Sequence, residues 1–496
     1  MVVVTRSEGA GLVSQQQGVR DVNAFVDTDR LVDDLKPGYL DLSDRIWGMP
    51  ELRYREEKSA AAQIEMLEAA GFAVTRNVAG IPTAFVAEAG TGGPVIAFLG
   101  EFDALAGLSQ EAGVAQKQPL DTGGNGHGCG HNLLGAGAML AAVATRDHLA
   151  AKGVPGRIRY FGCPAEEGGS GKTFMARDGA FAGVDAAFCW HPASFNSVIP
   201  ANSLANIQVN VRFRGRAAHA AASPELGRSA LDALELMSVG VQYLREHMPE
   251  KARVHSAITN TGGVSPNVVQ DFAEALYLIR SPQLSEVMAL FERVSKVARG
   301  AALMTETTVE IEVDKACSNL LRNATLDAVM QGEMERIGGS GFDDDDVRFA
   351  AEIQNTLQPQ DIAAMYHMFG IEQGAETPAL AAQVLPAPAK DLALPGSTDV
   401  GDVSWQTPVA QVMTACHALG TPLHSWQLVA QGKSGAAHRG MVFAAKTMAG
   451  SAVRLFESPE LLDRARQEFE AKIRRTPYVC PIDATVDLPF RRTSGH

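Results

Sequence analysis

Three apolar runs constrain this fold more than any other feature of the chain. Val95–Gly100 (VIAFLG) leads into Glu101-Phe102-Asp103. Arg157–Ala165 (RIRYFGCPA) leads into Glu166-Glu167-Gly168-Gly169, and Asp185–Trp190 (DAAFCW) into His191-Pro192. Such runs mark strands buried on both faces, as in parallel sheets. Helical segments at Leu133–Ala151 and Lys172–Asp178 intervene. Strand, polar tip, helix, strand is the α/β pattern, and these sheets bind ligands outside the carboxyl ends of their strands. The three tips are therefore expected to converge on one crevice.

A second stretch, Gly124–Leu134 (GNGHGCGHNLL), is expected to join them. His127, Cys129 and His131 stand at every second position with Gly between them. Residues two apart in an extended segment point to one side, and Gly spacers let the backbone approach an ion closely. A thiolate, imidazoles and carboxylates suit Zn²⁺, or Mn²⁺ where oxygen dominates. Glu166 and Glu167, as neighbours in an extended segment, would face opposite ways: one ligates, the other faces the substrate as a base. Each feature has a plainer reading. The loop could hold a small buried Cys beside satisfied His residues, and the Glu pair could be a solvated turn. Glu101 and Asp103 could cap the next segment, and a lone His191 or His438 is more often satisfied than ligating. Cys163, Cys189 and Cys317 read as core residues.

The rest of the chain supplies the frame. Residues 1–25 are polar and Gln/Gly-rich and read as a loose, flexible tail. Val26–Ile46 and Glu56–Ala70 read as helices, and Phe72–Val78 and Thr83–Ala87 as strands. From about residue 203 the pattern changes. Alternating strands (Ile207–Arg214, Arg253–Asn260, Val268–Arg280, Thr307–Val313) and two helices (Ser229–His247, Leu284–Gly300) make an α+β unit over 203–315. It interrupts a catalytic unit formed by 26–202 and 316–496. Helices return beyond Asn319, and Phe342–Asp346 (FDDDD) reads as a solvated acidic loop. Gly432–His438 opens an Ala-rich helix over Gly440–Phe456. Of 496 residues, 46% are apolar and 20% charged, an ordinary globular balance. With 43 Lys and Arg against 57 Asp and Glu, the net charge of −14 argues against nucleic-acid or anionic-membrane partners. The six scattered Cys and the lack of a signal-like or membrane-spanning run point to the cytoplasm.

Read together, MPELRYREEKSA, GEFDALAGL, GHGCGHN, CPAEEGG, WHP, GRAAHAAASPELGRSALDA and GAAHRG resemble the M20 metallopeptidases. The likeness runs from about residue 40 to 456. It is strongest to the amidohydrolase branch, which cleaves N-acyl amino acids, and there to the aminobenzoyl-glutamate-utilisation subgroup. The resemblance implies an α/β fold: a catalytic domain with a mixed, mostly parallel sheet, plus an inserted α+β lid and dimerisation domain. It implies a hydrolase with two divalent ions per subunit, Zn²⁺ or Mn²⁺. Cys129, His131, Glu167, His191 and His438 become the metal ligands. Glu166 becomes the general base, and Asp103 a carboxylate behind the ligands that orients one of them. His219, from the lid, would stabilise the oxyanion, often in the partner's site, while Asn267 and Arg280 would bind the substrate carboxylate. The partners implied are a homodimer through the lid or a heteromer with a homologous subunit. The substrate implied is an N-acyl or N-aroyl amino acid, such as aminobenzoyl-glutamate or an indoleacetyl-amino acid. A dipeptidase and a non-catalytic subunit that binds acyl amino acids are the alternatives. Three positions depart from the branch's usual residues: Asn132 for Asp, Glu101 for the first Asp of Asp-x-Asp, and Gly396-Ser-Thr-Asp399 for Ser-Glu-Asp-Phe.

Overall fold

The structure, a computed structural model, describes residues 11–198, 201–374, 376–387, 392–393 and 396–491. The apolar runs form the middle of a seven-stranded sheet. In spatial order its strands are Ala73–Arg76, Phe85–Thr91, Gly156–Cys163, Val95–Glu101, Ala186–Ala193, Val409–Ala415 and Ser197–Val198. The four inner strands run parallel. The outer pairings are antiparallel. Every residue of Val95–Glu101 is buried, which is why its sequence carries no polar alternation.

The ligand loop feeds helix His131–Lys152, which is buried all round from His131 to Thr145. It lies on the strands and is covered by helices Gly11–Trp47 and Gly435–Glu457. Its many Ala and Gly residues allow that close approach: a Cβ on Gly137 would collide with the Trp190 ring. Trp190 is itself fully buried and donates its indole N–H to the Leu134 carbonyl at 2.9 Å. A buried aromatic of this size contributes about 2–3 kcal/mol of stability.

A four-stranded antiparallel sheet comes from the middle of the chain, in the order Thr308–Cys317, Ala205–Arg214, Phe272–Ser281, Arg253–Asn260. Helices Ala230–Leu244 and Leu284–Thr305 pack on it. Burial alternates strictly along Phe272–Ser281, as expected for one covered face. One apolar cluster runs from Leu99 and Phe161 of the first sheet, through Phe174 on helix Gly171–Arg177, to Ile207, Val209 and Ala275 of the second.

Three expectations need correction. The backbone is helical from Gly11 to Trp47, so the loose tail over 1–25 does not hold for 11–25, while residues 1–10 lie outside the described residues. Polarity signals exposure, and Gln and Arg are good helix formers. The acidic run is no loop. Asp343 and Asp346 form a reciprocal capping box opening helix Asp344–Gln354, and buried Asp346 accepts from Arg439 Nε at 2.6 Å. Beyond Asn319 the chain also returns to the sheet through Val409–Ala415.

Where the chain re-enters from the second sheet, Asp402 gathers three elements. Its buried carboxylate accepts from Thr173 Oγ1 (2.7 Å), Ser318 N (3.0 Å), Ser318 Oγ (2.7 Å) and Tyr478 OH (2.9 Å). Asp402→Ala would leave these donors without an acceptor. A loss of about 3 kcal/mol or more is expected in a denaturant titration, with Asp402→Asn milder.

Candidate metal centre

The strand tips and the ligand loop meet beyond the carboxyl ends of the inner strands. His131 Nδ1 lies 2.8 Å from Asp103 Oδ1. The carboxylate only accepts, so Nδ1 carries the proton and Nε2 presents a lone pair. That lone pair faces Glu101 Oε2 at 3.3 Å. The other oxygen of Asp103 accepts the backbone N–H of Glu167 at 2.9 Å. His191 is set in the same manner: its Nδ1 donates to the Pro192 carbonyl at 2.7 Å, which leaves Nε2 bare 3.4 Å from Cys129 Sγ. Across the cleft, His424 Nε2 lies 3.2 Å from Glu167 Oε1.

Three sets of donor atoms, each within 4.8 Å of one another, result: Cys129–His131–His191, Cys129–Glu167–His424 and Glu101–His131–Glu166. Cys129 belongs to two of them. His131 Nε2 and Glu167 Oε1 are buried and lack a hydrogen-bond partner. Carboxylates outnumber cations here. Glu101, Asp103 and Asp399 are buried and Glu166 and Glu167 half-buried, against one buried ammonium, Lys172. Lys172 Nζ pairs with Glu101 at 2.7 Å and Asp399 at 2.5 Å. Opposed lone pairs and surplus negative charge out of water are unfavourable unless cations enter. With sulfur, nitrogen and oxygen donors, the array fits borderline divalent ions.

Electrostatics separate the two adjacent glutamates. Burial pushes the Glu166 carboxyl well above its usual range, and the charges of Glu101, Asp399 and Glu167 add to that. Burial also acts to raise Glu167, but the neighbouring His424 imidazole, followed by His131, outweighs it and brings it down to about 2. Burial, then the Glu167 charge, raises the Cys129 thiol. A coordinated cation reverses that and yields a thiolate.

The backbone around the donors is strained. Tyr54 (φ 63°), Ala165 (φ 61°) and His424 (φ 58°) take left-handed conformations unusual for residues with a Cβ. Glu56 pins two of them: its Oε1 accepts from Tyr54 N and Ala165 N, both at 2.9 Å, and its Oε2 from Thr83 at 3.0 Å. Burial, then Asp103, pushes this carboxyl up to about 8.

Of the residues singled out from the sequence, Cys129, His131, Glu167, His191, Glu166 and Asp103 come together. His438 does not. Its Nε2 binds Asp44 Oδ1 at 2.9 Å, because the first turn of helix Gly435–Glu457 turns it toward helix Gly11–Trp47. His424 holds the corresponding place. His127 also points away, with Nε2 3.0 Å from the Ile46 carbonyl. Residues 128–129 form a turn and His131 opens a helix, so the every-second-position geometry is lost. Glu166 and Glu167 diverge from a turn, not from an extended segment.

His219 is exposed on the second unit and joins none of the donor sets. Its Nδ1 accepts from the N–H groups of Ala221 and Ala222 at 3.2 and 3.1 Å. Exposed Asn267 lies beside it, its carbonyl accepting from Ala220 N at 3.0 Å. Arg280 is half-buried opposite Asn206 in register, and its Nε is buried without a hydrogen-bond partner.

Sequence reasoning missed His424, Lys172 and Glu56. The first left a trace: Val409–Ala415 followed by a polar tip repeats the strand grammar of the other three tips. Asn132, in a position where Asp is usual, donates to Ser43 Oγ (3.1 Å) and the Gly432 carbonyl (3.0 Å). A carboxylate could not donate to the Gly432 carbonyl.

The chain is similar in sequence and fold to known proteins over most of its length. Residues 97–260 match Peptidase family M20/M25/M40. The chain is 52% identical to one of the subunits of the Escherichia coli p-aminobenzoyl-glutamate hydrolase, covering 94% of this chain and 99% of that protein. It is 31% identical to the Xaa-Arg dipeptidase of Mus musculus, covering 87% and 89%. Among solved structures, the aminobenzoyl-glutamate utilization protein from Klebsiella pneumoniae is similar, with a TM-score of 0.57, 19% identity and coverage of 86% and 98%. So is a dinuclear metal-binding M20 peptidase from Bacillus subtilis, with a TM-score of 0.53, 17% identity and coverage of 86% and 99%.

The two candidate histidines are separable by metal analysis. His424→Ala is expected to lower the divalent-ion content of the purified protein, while His438→Ala retains it. The reverse outcome would restore the ligand set expected from the sequence.

Proposed function

The chain belongs to the M20/M25/M40 peptidase family, and from that premise we propose a metal-dependent amidohydrolase that cleaves the amide of N-acyl or N-aroyl amino acids. The observation that carries this reading is the pair of donor sets sharing Cys129, with Glu166 left outside both. Cys129, His131 and His191 would hold one ion, and Cys129, Glu167 and His424 the other, with Zn²⁺ or Mn²⁺ as candidates. When bound, a divalent ion supplies Lewis acidity, which lowers the pKa of a water and polarises a carbonyl.

The chain's own groups do the rest. Glu166 is half-buried and so within reach of a substrate, and divalent ions held beside it would offset the neighbouring carboxylates that raise its pKa and leave it ionised, able to accept a proton. It takes the proton from the attacking water and returns it to the leaving nitrogen. Asp103 keeps the His131 ring and the Glu167 backbone in place. Arg280, with an unpartnered guanidinium nitrogen, receives the carboxylate of the amino-acid half, and Asn267, beside His219 at the other end of the second sheet, would meet that carboxylate from a second protomer. His219 is exposed away from the donors of its own chain, so its oxyanion-stabilising role is exerted in the cleft of a second protomer.

The edge strand Arg253–Asn260 suits that partner. Seven of its eight residues are exposed, Ile258 among them, and Val239 and Tyr243 are exposed on the helix of the same unit. An unpaired edge invites another strand. The partner is a second copy or a homologous chain. The latter is supported by another component of the same Escherichia coli hydrolase, which is 30% identical over 52% of this chain. No described helix is long and apolar enough to cross a membrane, and the six cysteines are free, which supports a cytoplasmic setting.

The test is a panel of N-aroyl glutamates, N-acyl aspartates and free dipeptides on metal-loaded protein, with and without chelator. Hydrolysis of acylated amino acids that stops with chelator is expected. Turnover of free dipeptides alone would replace this reading with a dipeptidase. Glu166→Gln should lower kcat by roughly 10²–10⁴ with the metal content kept. Full activity in that variant would remove Glu166 from the mechanism.

A further inference from the structure

The turn that carries Glu166 and Glu167 is gripped by side chains along its length. Glu56 accepts the Ala165 N–H and Asp103 the Glu167 N–H, both at 2.9 Å. Tyr54 OH donates to the Gly169 carbonyl at 2.6 Å, and Arg53 Nη1 donates to the Gly168 carbonyl. The Arg53 stem lies on Gly168 itself, where a Cβ would come within 3.2 Å of Arg53 Cδ. This last grip does not end in the first unit. Arg53 Nη1 also reaches Asp314 Oδ2, on the second sheet, at 3.3 Å.

Asp314 is an extra residue in its strand. Along Thr308–Cys317, Val313 stands opposite Val209 and Lys315 opposite Gln208, so Asp314 between them has no register partner. A bulge of this kind re-aims a side chain and is common beside active sites. The carboxylate is buried and is steadied from its own sheet, where Gln208 Nε2 donates to the same Oδ2 at 2.8 Å. The bulge lies just ahead of the point where the chain returns to the first unit, at Ser318, whose N–H donates to Asp402 at 3.0 Å. That end of the sheet also carries Arg280, since Arg280 and Cys317 both stand opposite Asn206. Stability does not explain the Arg53–Asp314 pair. The Arg53 side chain is 42% exposed, and an ion pair open to water on one side adds little. What the pair fixes is a direction, because the same guanidinium nitrogen holds the peptide that follows Glu167.

We propose that Asp314 is a positioning residue: through Arg53 it sets where the Glu166–Glu167 turn stands relative to the sheet end that bears Arg280. This rests on the amidohydrolase reading, in which Arg280 holds the substrate carboxylate and Glu166 moves the proton. The two groups belong to different units and must act on one small molecule at once. A tie between the units that ends on the catalytic turn keeps their separation constant while substrate binds.

Two measurements test it. The first is turnover of N-benzoyl-glutamate by metal-loaded protein. Asp314→Ala and Arg53→Ala should each lower kcat roughly ten- to a hundredfold with KM little changed, as a misplacement near 1 Å does. The double variant should fall no further than Arg53→Ala, because both changes cut the same tie. Asp314→Asn keeps the shape and loses the charge; it should show a smaller loss in the same direction, and it serves if Asp314→Ala does not fold. Losses that multiply in the double variant, or an unchanged kcat in both single variants, overturn the proposal. The second is hydrogen exchange, which needs no turnover. Exchange across residues 165–169 should quicken in Asp314→Ala and Arg53→Ala. It should not quicken in Arg212→Ala, which breaks ion pairs to Glu274 and Glu312 on the same sheet. Equal quickening in Arg212→Ala would make the effect a general loosening of the sheet and overturn the tie. Quickening confined to the first two variants, with no acylated amino acid hydrolysed by the wild type, would support the tie and sink only the amidohydrolase reading. Wild-type hydrolysis with exchange and kcat unchanged in the variants would sink only the tie.

Discussion

Asp103 holds two parts of the chain that would otherwise drift apart. One oxygen fixes the proton on His131 Nδ1, and the other fixes the backbone N–H of Glu167. The first residue opens a buried helix, and the second sits on a turn after the neighbouring strand. With both arms in place, each donor presents its lone pair to the same small volume. Without them, the imidazole could flip its tautomer and the glutamate turn could swing out. The parallel sheet makes this economical, since its four inner strands deliver their tips to one edge.

Such convergence has a structural cost, visible as unusual backbone and surplus charge. Ala165 and His424 both sit at positive φ beside donor residues, a conformation worth of order 1–3 kcal/mol against each. Glu56 counteracts part of it by accepting both the Tyr54 and the Ala165 N–H. The strain is thus carried by a buried carboxylate that contributes no donor atom to the array. It belongs to the same plan as Asp402, which anchors the helix bearing Lys172 through Thr173.

Much of this was legible in the sequence because it was written in strong local patterns. Val95–Glu101 could hardly be anything but a doubly buried strand, and it is. The alternating strands of the second sheet announced a one-sided sheet, which Phe272–Ser281 displays residue by residue. The failures came where local pattern and tertiary demand part company. His438 stands at the start of an obvious helix, but a helix presents a residue by its angular position, and that angle faces Asp44. His424 stands in a short irregular segment with no periodicity, placed by the hydrogen bond to Gly128 and a strained φ. Lys172 stood at the start of the expected helical segment Lys172–Asp178, with no local mark of burial. Its burial follows from Glu101 and Asp399, residues 71 positions before it and 227 after it, meeting at its ammonium.

The three departures from the usual residues make sense as one linked adjustment of charge. Glu101, one methylene longer than Asp, reaches both His131 Nε2 and Lys172 Nζ. Asp399 then takes the far side of the same ammonium and accepts the Lys172 backbone N–H at 2.8 Å, which locks the helix start that carries it. Asn132 removes one more negative charge from the foot of the ligand helix and instead donates to the Gly432 carbonyl, just ahead of the helix bearing His438. An Asp there would add a buried anion where acids already outnumber bases, and would face a carbonyl it could not bond. The site therefore keeps a surplus of negative charge that suits divalent cations, with a buried lysine limiting the excess. Asn132 and Lys172 help set that balance without contributing a donor atom to the array.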